Sequence, residues 1–131
     1  MRKILVVSHG HLATGVKSNA EIILGENENV CYIDGYIDGL SPKEDIETYI
    51  ASLGENEEVI VFTDILAGSV TKLVAPYIPK GNIYVVAGFN MPMILEAISS
   101  IDSNDSTDVF VQELIKIGQS SINYVNKELN L

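Results

Sequence analysis

The chain has 131 residues, of which 47% are hydrophobic and 20% are charged. This length and composition predict one globular domain over residues 1–131 and exclude an intrinsically disordered protein. With 18 acidic and 8 basic side chains the formal net charge is −10, so the surface repels nucleic acid and anionic membranes. A basic protein partner would fit this charge, although solubility alone would also account for it.

Cys31 is the single cysteine, so no internal disulfide can form and no cysteine cluster can bind zinc. Its apolar surroundings, NVCYID, predict a buried thiol. The opening MRKILVVSHG has an apolar run of only four residues, too short for the core of a signal peptide, and no later run is long enough to span a membrane. We therefore expect a cytoplasmic protein.

Strand and helix patterns alternate through the first half of the chain. A strand is predicted over residues 3–8 and a second over 29–34. Between them, apolar residues recur at helical spacing and stop at Gly25: Ala13, Val16, Ala20, Ile23 and Leu24. The next helix is expected to start from a capping box, with Ser41 as N-cap, Pro42 in the first turn and Glu44 three residues after the serine, and to run to about Leu53 before Gly54.

The same alternation continues in the second half. Strands are predicted over 58–64 and 82–88, separated by a turn at Gly68-Ser69 and a helical stretch to about Tyr77. A helix is expected over 90–100, with Pro92 in its first turn. Apolar residues at helical intervals then predict a last helix over 107–127: Val109, Val111, Leu114, Ile115, Ile122 and Val125.

Four strand–helix repeats predict an α/β fold with three layers: an open sheet of four parallel strands, in the order 2-1-3-4, with helices on both faces. Such sheets bind ligands at the carboxyl ends of their strands, beside the point where strand order reverses. Strands one and three would be neighbours there. We therefore expect His9, after strand one, to lie within reach of Asp64, after strand three.

A carboxylate that accepts a proton from one imidazole nitrogen leaves the other nitrogen with a free lone pair. Gly10 and Gly68 allow close backbone approach, and Ser69 adds a hydroxyl at a helix start, where anions are favoured. A histidine nucleophile in such surroundings suits phosphoryl transfer. We predict His9 and Asp64 as catalytic residues, with Gly10, Gly68 and Ser69 binding the phosphoryl group.

Other interpretations of these residues stay open. A lone histidine at a strand end is often purely structural. His9, His11 and Asp64 could form a metal site, but His11 is expected to start the helix and point elsewhere, and no further histidine or cysteine cluster supports a metal. A receiver domain of the usual type is excluded, because it would need acidic residues after strand one.

Three segments together, VVSHGHLATGV, VFTDILAGSV and VAGFNMPMILEAI, resemble the EIIA component of the mannose-type phosphoenolpyruvate-dependent sugar phosphotransferase system. The resemblance covers essentially the whole chain. It implies a phosphocarrier in which His9 accepts a phosphoryl group on Nε2 from the carrier protein HPr and passes it to a histidine of EIIB. It further implies an Asp64 that holds the other nitrogen and a homodimer that exchanges a short antiparallel edge strand, which the tail NYVNKELNL could supply, although this tail equally fits a helix end. Phosphoryl transfer between two histidines needs neither a metal nor an organic cofactor.

His11 stands where relatives often have a bulky group such as tryptophan, and we interpret it as a rim residue that contacts partners. Asn90, Met91 and Met93 are expected either to start a helix or to form an adaptable docking patch. Three alternatives for the whole protein remain: the phosphoryl-donor subunit of dihydroxyacetone kinase, a small tetrapyrrole metal chelatase, and a regulatory binder that uses phosphorylation as a signal.

Overall fold

The computed structural model describes residues 1–130. Its strands are β1 (Arg2–His9), β2 (Val30–Gly35), β3 (Glu58–Thr63) and β4 (Ile83–Ala87). The helices, in chain order, are α1 (Leu12–Leu24), α2 (Lys43–Ala51), α3 (Ser69–Val74), α4 (Met91–Ser99), α5 (Thr107–Ser120) and α6 (Val125–Glu128), with 3₁₀ segments at Ile37–Gly39 and Ala75–Lys80.

The four strands form one sheet in the order β2-β1-β3-β4, and every pairing within residues 1–130 is parallel. The predicted topology is therefore confirmed. His9 is the last residue of β1 and lies opposite Gly35 of β2, while Val7 lies opposite Thr63 of β3. This register brings the loops that follow β1, β2 and β3 together at one edge of the sheet.

Two apolar cores cover the two faces of the sheet, because alternate strand residues point in opposite directions. Ile4 and Val6 pack with residues of α1, α4 and α5 on one face. Leu5 and Val7 pack with residues of α2 and α3 on the other. The central strands are buried on both faces, as expected of a parallel sheet covered by helices.

Several predictions about α1 and its surroundings need correction. The helix does end at Gly25, but Ile23 and Leu24 are exposed instead of packing in the core. Cys31 is exposed as well; it lies on β2, an edge strand of the sheet.

The helix over 43–51 begins later than its sequence signal indicates. Pro42, and not Ser41, is the N-cap, and the Ser41 hydroxyl accepts a hydrogen bond from the Lys43 amide at 3.2 Å. Ser41 therefore bonds to the first residue of the helix from a position outside it. The predicted capping box, with Ser41 as N-cap and Glu44 three residues later, is not observed.

The predicted helix over 107–127 ends at Ser120. The hydroxyls of Ser120 and Ser121 both donate to the carbonyl of Ile117, and such local bonds compete with helix propagation. Ile122 and Val125 consequently lie exposed beyond the helix end. Residues 125–128 form a short exposed helix, so the expected exchanged strand is not present in the described part of the tail; Leu131 lies outside it. The homodimer stays a prediction.

Within residues 1–130, no helix combines the length and the apolar character needed to cross a membrane.

Candidate functional site

His9 and Asp64 meet at the carboxyl edge of the sheet, although 55 positions separate them in sequence. Nδ1 of His9 lies 2.9 Å from Oδ2 of Asp64, and the backbone amide of His9 donates to the same oxygen at 2.8 Å. An ionised carboxylate only accepts hydrogen bonds, so Nδ1 carries the proton. In the neutral ring this leaves the lone pair on Nε2, as the sequence predicts.

The Asp64 carboxylate is itself held in place. Its other oxygen accepts from the amide of Ile65 at 3.1 Å. The loop that follows is fixed by Thr71, whose buried hydroxyl contacts the Thr63 hydroxyl and donates to the Ile65 carbonyl, both at 2.7 Å. The orientation of Asp64 is therefore set by the end of β3 and by α3, and not by solvent.

Opposing effects act on the acidity of Asp64. Burial by itself raises the pKa of the carboxyl group, but the hydrogen bonds from the His9 amide and ring, together with attraction to the ring, lower it below its ordinary value. Asp64 is consequently ionised at neutral pH, the state in which it accepts the Nδ1 proton.

Nε2 of His9 faces the start of α3. The Ser69 hydroxyl lies 3.3 Å from Nε2, and the His9 side chain is 38% exposed. A Cβ atom on Gly68 would lie 3.0 Å from Cε1 of His9 and 3.1 Å from Cγ1 of Ile65. Glycine at position 68 thus gives the imidazole room to sit beside Ser69.

The two predicted glycine amides are already engaged within the protein. The Gly10 amide donates to the Gly35 carbonyl at 2.8 Å, and the Gly68 amide donates to the Ile65 carbonyl at 3.2 Å. Gly10 supplies a turn with φ of +59°, and Gly68 supplies space beside His9; the phosphoryl-binding role of both residues stays a prediction. Of the three predicted phosphoryl-binding residues, only Ser69 contacts His9 through a donor group.

Two amides in the first turn of α1 are also occupied. The buried Ser8 hydroxyl accepts from the Ala13 amide at 2.7 Å, and Oδ1 of Asp34 accepts from the Thr14 amide at 3.0 Å. These side chains, contributed by β1 and β2, act as caps that α1 does not supply itself. The expectation that these amides face a bound anion is therefore wrong for Ala13 and Thr14.

His11 forms a second histidine–aspartate pair at the same edge. Its Nδ1 lies 3.0 Å from Oδ2 of Asp34, an oxygen that also accepts from the Thr14 hydroxyl at 2.7 Å. Burial raises the pKa of Asp34, but the bonds from Thr14 and His11 lower it overall. The His11 side chain is 76% exposed, which agrees with a residue on the rim of the site.

The ring of Tyr36 lies against the His9 ring, with centroids 5.3 Å apart and planes inclined by 20°. Its backbone is left-handed, with φ of 59° and ψ of 30°. One face of the imidazole is thereby stacked against an aromatic ring.

Among residues 1–130 there is no group of three or more His, Cys, Asp or Glu side chains that could hold a metal ion. The two histidines are each paired with a different aspartate. The geometry described is that of a nucleophilic imidazole with a fixed tautomer and an accessible nitrogen.

Comparison with known proteins shows the family to which the chain belongs. A family model described as the PTS system fructose IIA component, EIIA-man, matches residues 3–114. The chain belongs to this family. A curated relative, the PTS system mannose-specific EIIAB component of Escherichia coli K12, is 30% identical over 123 residues. The alignment covers 91% of the present chain but 38% of that relative.

Solved structures agree with the assignment. A PTS IIA protein associated with the fucose utilization operon of Streptococcus pneumoniae is 30% identical with a TM-score of 0.85, over 98% of this chain and 96% of that one. A proposed permease of the phosphoenolpyruvate-dependent sugar phosphotransferase system from Klebsiella pneumoniae is 27% identical with a TM-score of 0.90, over 98% and 93% of the two chains. The predicted resemblance to a mannose-family EIIA component is confirmed.

In this EIIA chain the predicted docking residues of β4 and α4 lie mostly inside the protein. Met93 is only 5% exposed and packs in the core, which removes it from a docking surface. The Asn90 side chain accepts from the Met93 amide and donates to the Gly118 carbonyl at 2.7 Å, so it caps α4 and ties it to α5. Met91 is half-buried against the same core.

Exposed aliphatic residues instead follow strands β1, β2 and β3 at the carboxyl edge of the sheet. One lies at the start of α1 and the others lie in the loops after β2 and β3, and we call them the apolar rim: Leu12, Leu40, Ile65 and Leu66. Exposed apolar patches of this kind mark surfaces that contact other proteins.

Sequence analysis missed Asp34, Tyr36 and the rim of the EIIA site. The duplicated YIDGYIDG pattern over residues 32–39 indicates a strand followed by a turn and does not link Tyr36 to His9. The available signal for Asp34 was a polar residue near the carboxyl end of strand two, where it lies opposite Ser8 of strand one. No sequence signal shows that a tyrosine will adopt a left-handed backbone.

Proposed function

We propose that this EIIA component accepts a phosphoryl group on Nε2 of His9 from phosphorylated HPr. It then transfers the group to a histidine of the mannose-family EIIB component, which serves sugar uptake. The observation that carries the proposal is the bond between Nδ1 of His9 and Asp64 at 2.9 Å, with Nε2 accessible beside Ser69.

The transfer balances without an added reactant. The lone pair on Nε2 of His9 forms the new N–P bond, while the N–P bond of the donor histidine breaks and its electron pair returns to the donor nitrogen. Asp64 keeps the Nδ1 proton in place and stabilises the positive charge that develops on the imidazole. The Ser69 hydroxyl, which contacts Nε2 in the free protein, is placed to donate to a phosphoryl oxygen.

The same site would serve both partners in turn. Donor and acceptor nitrogens must each align with the phosphorus, which requires close docking around His9. The apolar rim offers contact area for this docking, and the net charge of −10 favours partners with a basic face. The E. coli relative is an EIIAB component, and the alignment covers only 38% of it. EIIB as the acceptor is therefore part of the proposal.

The test is incubation with phosphoenolpyruvate, enzyme I and HPr, followed by analysis of acid-labile phosphate. We expect one phosphoryl group on the wild-type protein, none on His9→Ala, and a normal level on His11→Ala. Label that survives in His9→Ala would contradict the assignment of the acceptor. Adding either EIIB or the dihydroxyacetone kinase subunits then shows which acceptor removes the phosphate.

A further inference from the structure

Tyr36 stacks on one face of the His9 ring. Asp64 and Ser69 contact the two nitrogens at the edges of the imidazole. The Tyr36 ring lies nearly parallel to it, inclined by 20° at a centroid distance of 5.3 Å, within the range of offset aromatic stacking.

An unusual backbone produces this contact. Tyr36 has φ of 59°, a left-handed conformation that is rare for a bulky residue. The conformation is fixed locally, because the Tyr36 amide donates to the Leu40 carbonyl at 2.8 Å. A Cβ atom on Gly35 would lie 2.7 Å from the Ser8 carbonyl oxygen, so the chain enters the loop pressed against the end of β1. Strain held in this way next to a reactive group points to a role in function.

We propose that Tyr36 is a positioning residue for His9; this inference rests on the proposed function. A single hydrogen bond at Nδ1 fixes one point of the imidazole but still permits the ring to tilt about it. The Tyr36 face restricts that tilt, so that the Nε2 lone pair keeps one direction before and after phosphorylation. Both half-reactions, acceptance and donation, need this alignment.

The competing explanation is that Tyr36 only fills the apolar core. Tyr36 does pack against the cluster formed by α2, α3 and one face of the sheet, and so does Tyr77. A packing role would make the two tyrosines equivalent with respect to His9. A positioning role makes the state of the His9 ring depend on Tyr36 alone.

The experiment compares Tyr36→Asn, Tyr36→Gly, Tyr36→Phe and the control Tyr77→Asn. Asparagine and glycine tolerate the left-handed backbone, so the ring is removed without adding strain. The His9 ring proton shifts in NMR spectra report stacking, and rapid-mixing kinetics report transfer from phosphorylated HPr and to EIIB. We expect both rates to fall about 10- to 100-fold in the two variants without a ring, and the ring protons to lose their upfield shift.

Tyr36→Phe is expected to keep both the shift and the rates within twofold, and Tyr77→Asn to change neither. Wild-type rates in a folded Tyr36→Asn or Tyr36→Gly protein would overturn the proposal, as would equal losses in Tyr36→Phe or Tyr77→Asn. If neither ring-less variant folds, Tyr36 is a core residue and the proposal is likewise overturned. A wild-type protein that takes no phosphate on His9 would instead overturn the proposed function.

Discussion

One carboxylate oxygen of Asp64 fixes both the backbone and the side chain of His9. Oδ2 accepts the His9 amide at 2.8 Å and Nδ1 of its ring at 2.9 Å. A change of tautomer or a rotation of the ring would therefore break the bond at Nδ1. The bond from the His9 amide joins the end of β1 to the residue that follows β3. Three predictions follow from this arrangement and from the surfaces around it, and a fourth concerns the opposite edge of the sheet.

Replacing Asp64 by asparagine should slow phosphoryl transfer about 10- to 100-fold, the range seen when a group that orients a reactive histidine is lost. The asparagine amide can donate to Nδ1, which would move the ring proton to Nε2 and remove the nucleophilic lone pair. Single-turnover transfer from phosphorylated HPr measures the effect, and circular dichroism checks the fold. An unchanged rate in a folded Asp64→Asn protein would contradict the role of Asp64.

Replacing Gly68 by alanine should impair transfer by displacing the imidazole. Gly68 has an extended backbone with φ of −77°, so the substitution adds no backbone strain, and its effect comes from the Cβ atom 3.0 Å from Cε1 of His9. The control is Gly15→Ala in α1, where the added Cβ meets open space. That variant should gain about 0.5–1 kcal/mol in free energy of unfolding and transfer normally. Equal rates in the two variants would show that His9 tolerates the contact.

Replacing Leu66 by serine should weaken docking of HPr without weakening the fold. Leu66 is 76% exposed on the apolar rim, and Ile22, at 83% exposed near the end of α1, provides the matched control. Loss of an apolar contact at a protein interface costs on the order of 1 kcal/mol, or about fivefold in Kd. Titration calorimetry with HPr should therefore separate Leu66→Ser from Ile22→Ser. Equal affinities would place the docking surface elsewhere.

Acid should destabilise the protein partly through Glu58, at the opposite edge of the sheet from His9. The Thr107 hydroxyl donates to Glu58 at 2.7 Å and lowers its pKa; burial opposes this, while the Tyr84 hydroxyl at 2.9 Å and the Arg2 charge add to the lowering.

A carboxyl group with a lowered pKa in the folded protein stabilises it above the unfolded-state pKa, and this contribution is lost as the pH falls through the folded-state value. Glu58→Gln should therefore lower the free energy of unfolding most near neutral pH. The difference from wild type should shrink as the pH falls from about 5 toward 3. Urea unfolding at several pH values measures it, and a difference that grows in acid would have the wrong sign.

The sequence alone determined the α/β class, the strand order and the meeting of His9 with Asp64. The class follows from local patterns in the sequence: buried strands, helix caps such as Gly25, and the regular alternation of strands and helices. Strand order then follows from topology, because strand one is central and the carboxyl ends of neighbouring parallel strands share one edge. The chemical roles proposed for His9 and Asp64 needed only that placement.

The tertiary structure decided which groups are available around that pair. Ser8 and Asp34 cap α1 from the sheet, so amides that the sequence leaves free are occupied. Cys31 is exposed because its strand lies at the sheet edge. Tyr36 reaches His9 only because the close passage of Gly35 past Ser8 and the bond to Leu40 hold it in a left-handed backbone. Most of these contacts join residues that are distant in sequence, and local sequence patterns do not predict such contacts.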